Sequence, residues 1–350
     1  MKQIVLILLL ASPLLLQAQS TKYVRIKPEE VVTWNLSQIS QKVTPVSLSS
    51  YTDLYKYGVQ SFYITDDYLF LFGRGKAIAQ LDISGKYIKT VFCPGYITSV
   101  TGDSDKKEIY ICLDNSKVIC CDYSLTIKKT FLAKYNTNSI CLYNNKLYIA
   151  SYELDTKVNG GRITYRISSM DVVTGKEKFL SFDISETNQG GGWGLFTQQP
   201  TFSIFNDQVI YANASSNETK STLYGIKGDS IYPFIQYEIE PMKGDFKYMI
   251  NPPKRQGFIG KNLIVEYGVS SYFGKFSAQL IYLEDMETGK GYSLSETFND
   301  DLYHTGNCRM DFFANKPGYF IVRRDASDLK KSTNLKIPTD SPAIFIVKMK

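Results

Sequence analysis

From about residue 60 onward, short apolar runs alternate with tight polar turns, and the alternation recurs as a unit. An apolar strand is followed by a two-residue turn and a second strand rich in Tyr, Ile and Leu. A longer connection leads to a third strand, a turn and a fourth strand. Copy one is clearest: 61–65, the turn Asp66-Asp67, 68–72, the connection Gly73-Arg74-Gly75-Lys76, 77–82, the turn Ser84-Gly85, and 86–92. Copy two runs 97–100, 108–113, 118–123 and 127–131. Copy three runs 139–143, 146–151, 165–172 and 177–182. Copy four runs 201–205, 208–212, 221–226 and 230–239. Copy five runs 257–259, 262–267, 278–285 and 291–294. Copy six offers only 309–313, 319–323 and 343–349. A fixed repeat of this size marks a modular architecture.

The pattern predicts an all-β chain: a six-bladed β-propeller of four-stranded antiparallel blades. Runs such as Tyr68-Leu69-Phe70-Leu71-Phe72 are apolar on both faces, as strands stacked between neighbouring sheets must be. The missing fourth strand of copy six has two N-terminal candidates, 43–48 and 31–36. Borrowing either one closes the ring and removes the open edges. A β-helix would need shorter, more uniform rungs. A pair of sandwiches would not explain an incomplete last unit.

Ahead of the repeats, Met1-Lys2-Gln3 precedes an apolar run from Ile4 to Leu16. That run is shorter than the roughly 20 residues that span a bilayer. A positive start, a short apolar core and the small residue Ala18 predict a secretory signal peptide over residues 1–18, cleaved near Ala18. The single propeller domain then covers 19–350. No later segment is apolar enough to span, and the first cysteine is Cys93, so no lipid-anchored mature end is expected. The expected location is the periplasm or the cell surface.

Net charge is +6, or +5 without Lys2, and the charges are dispersed. Nucleic-acid binding would call for a clustered basic face; Lys330-Lys331 is too short to be one. The cysteines 93, 112, 120, 121, 141 and 308 do not resemble a disulfide scaffold, and no CxxC pair suggests zinc. Burial as small hydrophobes is the preferred reading. With a hairpin turn at Asn115-Ser116, Cys112 falls opposite Ile119 and diagonal to Cys121, which makes that pair the one to test for a bridge.

Three segments resemble the exported six-bladed propellers of Bacteroidetes type, related in architecture to TolB-like and NHL-like propellers. They are the signal end Leu16-Gln17-Ala18-Gln19, the unit Tyr63-Ile64-Thr65-Asp66-Asp67-Tyr68-Leu69-Phe70, and Leu81-Asp82-Ile83-Ser84-Gly85-Lys86-Tyr87-Ile88. The resemblance is strongest over residues 58–131. It implies fold and envelope location, and it transfers no activity, cofactor or catalytic residue.

Connection lengths supply the functional expectation. Turns between strands one and two, and between three and four, are short and share one rim. The connections 153–164, 213–220, 268–277 and 326–342, and the interblade stretches 183–200, 241–256 and 295–307, share the other. Long loops on a rigid scaffold are where binding sits, and loop drift is the competing reading. Within that rim the candidate ligand contacts are Trp193 in Gly190-Gly191-Gly192-Trp193-Gly194, Tyr248, Arg255, Tyr272, Phe273 and His304, with Arg74 in the copy-one connection. Trp193 reads equally as an exposed platform for a sugar ring or as a ring tucked over a blade edge. Solvated surface charge is the preferred reading of Arg74 and Lys76.

The chemistry is sparse. His304 is the single histidine, so no histidine metal cluster exists, and no Gly-x-Ser-x-Gly elbow accompanies it. Asp66-Asp67, Glu284-Asp285 and Asp300-Asp301 read first as turn or rim residues. No catalytic residue, metal or cofactor is assigned. Two functions are carried forward. The favoured one is a non-catalytic propeller binding a glycan, peptide or envelope protein. The alternative is a glycan lyase or hydrolase with its site in the propeller funnel.

Overall fold

The computed structural model describes residues 21–28, 31–48, 59–73, 75–155, 162–187, 201–212, 220–242, 248–271, 277–310, 312–313 and 316–350. The chain opens with β1 (Lys22–Ile26), β2 (Val31–Val32), the single turn α1 (Leu36–Ile39) and β3 (Ser40–Ser47). Blade one is β4 (Val59–Ile64), β5 (Tyr68–Gly73), β6 (Ala77–Asp82) and β7 (Tyr87–Phe92). Blade two is β8 (Ile97–Asp103), β9 (Glu108–Leu113), β10 (Lys117–Asp122) and β11 (Ile127–Leu132). Blade three is β12 (Asn136–Tyr143), β13 (Lys146–Asp155), β14 (Arg162–Asp171) and β15 (Glu177–Thr187). Blade four is β16 (Thr201–Phe205), β17 (Gln208–Ala212), β18 (Lys220–Lys227) and β19 (Ser230–Ile239). Blade five is β20 (Tyr248–Ile259), β21 (Asn262–Ser271), β22 (Ser277–Asp285) and β23 (Lys290–Ser295). A separate hairpin, β24 (Thr297–Asp300) with β25 (Gly306–Arg309), precedes blade six. Blade six is β26 (Phe312–Phe313), β27 (Tyr319–Arg324), the single turn α2 (Ala326–Leu329) and β28 (Ala343–Met349), completed by β3.

The result is a six-bladed β-propeller whose ring is closed by an N-terminal strand. β3 pairs antiparallel with β28 from Ser40↔Met349 to Ser47↔Ala343. Of the two candidate closing segments, the structure uses the one containing residues 43–47. Part of the other, Val31–Val32, pairs parallel with β23 of blade five. Upstream of both, β1 pairs parallel with β19 of blade four. The N-terminal segment thus runs as a belt along the outer edges of blades four, five and six.

Six apolar seams hold the ring, one between each pair of successive blades. Along β5, Leu69 and Leu71 face blade six while Phe70 and Phe72 face blade two. Along β9, Ile109, Ile111 and Leu113 face blade one while Tyr110 and Cys112 face blade three. Alternation that buries both faces explains the continuous apolar runs. The seam of Val46, Leu48, Ile321 and Ile344 with Phe62, Leu69 and Leu81 joins the last blade to the first.

The two short-turn sets do share a rim. The amide of Ile83 donates to the carbonyl of Asp67, that of Val172 to Asn145 and that of Met286 to Lys261. Asn144 and Asn145, and Asn206 and Asp207, all have positive φ, the backbone of a two-residue hairpin turn whose twist matches its strands.

Three expectations are corrected. Much of the predicted long-loop length is strand: β13 and β14 are 10 residues each, against six each for β5 and β6. Their polar tips broke the apolar pattern without ending the pairing. Arg309, expected at the start of blade six, ends β25 of the extra hairpin. Third, Cys112 lies opposite Val118, not Ile119, because the β9–β10 turn runs through Asp114, Asn115 and Ser116, with Ser116 at positive φ. That one-residue slip moves Cys112 to the face shared with Cys120 and leaves Cys121 on the opposite face.

Candidate functional site

Arg74, Trp193, Tyr272 and Phe273 lie outside the described residues. Tyr248, expected in a loop, is the first residue of β20 and pairs with Ser271. Arg255, also expected in a loop, lies further along β20, the innermost strand of blade five. Its Nε donates to Oε2 of buried Glu266, the residue directly across, at 2.5 Å. Its Nη2 donates to the Met310 carbonyl at 2.9 Å. The planar guanidinium fork serves both acceptors at once and ties blade five to the entry of blade six.

His304 is exposed in the β24–β25 turn at φ 56, and its amide donates to the Asp300 carbonyl at 3.1 Å. The turn is organised by Asp300, which is buried. Its carboxylate accepts the amides of Leu302, Tyr303 and Thr305 and the Thr305 hydroxyl. Asp301 accepts both the amide and the hydroxyl of Ser37, fastening this hairpin to α1.

The other acidic pairs are likewise engaged. Lys316 contacts Asp66 at 2.6 Å across the seam between blades six and one. Glu284 accepts from Lys22 at 2.6 Å and from the Tyr282 hydroxyl at 2.7 Å. Asp285 accepts the amides of Glu287 and Thr288 and pairs with Lys261 at 2.9 Å. Every displaced carboxylate among the described residues is displaced downward: Asp66, Asp82, Asp171, Asp229, Glu238, Asp285 and Asp301. In the first six, hydrogen bonds from side chains or turn amides are the largest cause. In Asp301 burial pushes up most strongly, and the Ser37 donors outweigh it. A general acid for glycosidic cleavage needs the opposite displacement.

The six cysteines are buried and free. Burial pushes the Cys93 and Cys112 thiols up to about 11 and those of Cys121 and Cys141 up to about 12. No group of three or more metal-ligating side chains occurs among the described residues, and no helix there is long and apolar enough to cross a membrane. A crevice lined by Trp34, Ile39, Leu294, Phe298, Met310 and others has about 10 Å³ of free volume, barely one water's worth. It is a packing seam of the belt, blade five and the extra hairpin.

Sequence reasoning missed the outer flank of blades one to three. Among the described residues, no belt strand is added to their outermost strands β7, β11 and β15. Large apolar side chains stand in solvent there: Phe92 77%, Leu132 70%, Ile127 57% and Ile88 45% exposed. Cations accompany rings. Lys76 lies over Tyr96, and Lys134 lies over both Tyr135 and Phe179, at 5.3–5.4 Å. The available signal was the fourth strands themselves, whose lysines interrupt apolar runs in Lys86–Phe92 and 127–132.

No family model matches the chain, and no curated protein resembles it in sequence. Solved structures do. The chain is similar to Kuenenia stuttgartiensis hydrazine synthase, with a TM-score of 0.52 and 14% identity over 77% of this chain and 74% of that one. It is similar also to a structural genomics protein of unknown function from Bacteroides thetaiotaomicron, with a TM-score of 0.50 and 11% identity over 91% of this chain and 74% of that one. At these identities the likeness is one of fold.

Proposed function

We propose that the chain is an exported, non-catalytic binding propeller of the cell envelope that presents its elaborated rim to a glycan, a peptide or an envelope protein. The observation that carries this reading is the asymmetry of the two rims. One is sealed by short turns hydrogen-bonded to each other. Towards the other, β13–β14 and β21–β22 extend as long hairpins beyond the length of the first two blades. A rigid ring with elaboration on one side is a scaffold for contacts. The engaged, downward-displaced carboxylates weigh against an acid–base enzyme.

The test is binding of the purified chain to a glycan array and to immobilised peptides, followed by a product assay on each hit. Saturable binding without product is expected, weakened at least tenfold by shortening the β13–β14 hairpin. Turnover of any bound glycan would overturn the non-catalytic assignment in favour of a lyase or hydrolase. Binding that survives shortening of both hairpins would move the site off this rim.

A further inference from the structure

The outer edges of the six blades are treated in two ways. Blades four and five receive an added parallel strand, β1 on β19 and β2 on β23, and the final edge of blade six is supplied by β3. On blades one, two and three no strand is added to β7, β11 or β15 among the described residues. β11 shows the contrast best. Five of its six residues are exposed, Ile127 and Leu132 among them, whereas β19 under its belt strand buries Ile235, Tyr237 and Ile239.

Of the two added strands, β1 is charged and β2 is not. β1 reads Lys22-Tyr23-Val24-Arg25-Ile26, and it puts Arg25 directly opposite Glu238 while Lys22 reaches Glu284 at 2.6 Å. Tyr23 donates to Glu238 as well. Its apolar residues Val24 and Ile26 are buried. A basic, alternating strand thus meets the one acid of β19, Glu238, which also pairs with Lys220 at 3.3 Å, and reaches Glu284 on β22 of the next blade. The uncovered edges of β7 and β11 carry the opposite sign. Lys86 is exposed beside β7, and Lys128 and Lys129 are exposed on β11, where Lys128 also pairs with Glu108 at 3.3 Å and Lys129 donates to the Val172 and Val173 carbonyls. Neither β7 nor β11 contains an acid, whereas β15 contains Glu177, Asp183 and Glu186 and is not a basic edge.

We infer that the β11 edge, with its neighbour β7, is a docking surface for an extended acidic segment of a partner polypeptide. The segment adds as a fifth strand in the way β1 adds to β19. Main-chain hydrogen bonds supply the affinity and alternate side chains the specificity. A six-residue edge accommodates about 20 Å of such a strand. Its apolar side chains would cover Ile127 and Leu132, and its carboxylates would meet the lysines. A second copy of this chain is the wrong occupant. Its β1 would bring Lys22 and Arg25 onto the same lysines, and edge-to-edge pairing of two β11 strands would set Lys128 and Lys129 against themselves.

The test is selection of a random twelve-residue peptide library on the full chain, with the selected peptides then measured by fluorescence anisotropy and amide hydrogen exchange. Peptides alternating apolar residues with Asp or Glu are expected, and they should slow exchange in β11 or β7. Affinity should fall with salt and drop at least tenfold in the double variant Lys86→Glu, Lys128→Glu, with circular dichroism and melting checking that the variant remains folded after loss of the exposed Lys128–Glu108 pair. Neutral or basic selected peptides would overturn the inference, as would equal binding to the folded double variant or salt-sensitive dimerisation of the chain through this edge. Peptides that protect only the β13–β14 or β21–β22 hairpins would also overturn it, while leaving the elaborated-rim reading standing.

Discussion

Single residues set how closely the blades approach. Gly85 ends the blade-one turn at φ 92, and a Cβ there would meet the Ser47 carbonyl oxygen at 2.0 Å, on the strand that closes the ring. Gly289 holds the matching turn position in blade five at φ 69 with open space around it. The backbone preference alone makes alanine cost roughly 1–2 kcal/mol at either site. The clash adds about 1–3 kcal/mol at Gly85 only. Thermal denaturation of Gly85→Ala should therefore show a loss of about 2–5 kcal/mol, and Gly289→Ala about 1–2 kcal/mol. Equal losses would mean the closing seam yields without cost. The sequence marks both positions as turn glycines; only the neighbour from 38 residues upstream separates them, and that contact has no local signal.

At the level of elements, local pairing was legible and remote pairing was not. Blades one to three could be read because each strand pairs with the next through a turn of a few residues, and the turns carry Asn, Asp or Gly. β1 could not. Its partner β19 lies more than 200 residues away, and a five-residue strand with polar neighbours has no periodicity to count. The cysteine register failed for a related reason: a turn one residue longer than assumed reverses every side chain beyond it. Of the seven contact residues, Arg255 shows why site reading lagged. A polar stretch with two prolines reads as loop, yet it is a bulged inner strand whose charge joins two blades. The belt itself makes a prediction. Ile26 is fully buried against blade four, so Ile26→Ala should cost about 2–5 kcal/mol. A chain starting at Val31 should still unfold cooperatively, at lower temperature, and should self-associate through the uncovered β19 edge in sedimentation. A chain starting after β3 should lose the cooperative transition, because the ring is then open.

Across the whole molecule, the third-to-fourth-strand turns repeat one device. Asp82, Asp122, Asp171 and Asp285 end the third strands of blades one, two, three and five. In each, the residue three or four positions on donates its amide to the Asp carbonyl: Gly85, Leu125, Gly175 and Gly289. The carboxylates then take the following amides, Ser84, Thr126, Thr174 and Thr288 among them. A lysine from the previous blade's outer strand reaches the next turn. Lys89 donates to the Ser124 carbonyl, Lys129 to the carbonyls of Val172 and Val173, and Lys178 to the Asp229 carboxylate. Asp82 is held down chiefly by the Ser84 hydroxyl, Asp171 by the Thr174 amide, Asp229 by Lys178 and Asp285 by Lys261. Because each folded value lies below the unfolded one, the unfolded chain binds more protons in the window between them, and stability rises with pH there. The contribution is complete above the unfolded carboxylate value of about 3.9 and is lost as pH falls through the folded values. Melting temperature should thus change little on account of these groups from pH 7 down to about 5, then drop steeply below about 4. Replacing Asp82 and Asp171 together by Asn keeps an acceptor in each turn but removes the titration. That variant should melt lower than the parent at pH 7 and lose less on acidification to pH 3. An acid limb of undiminished depth would show that other carboxylates govern the ring's acid stability.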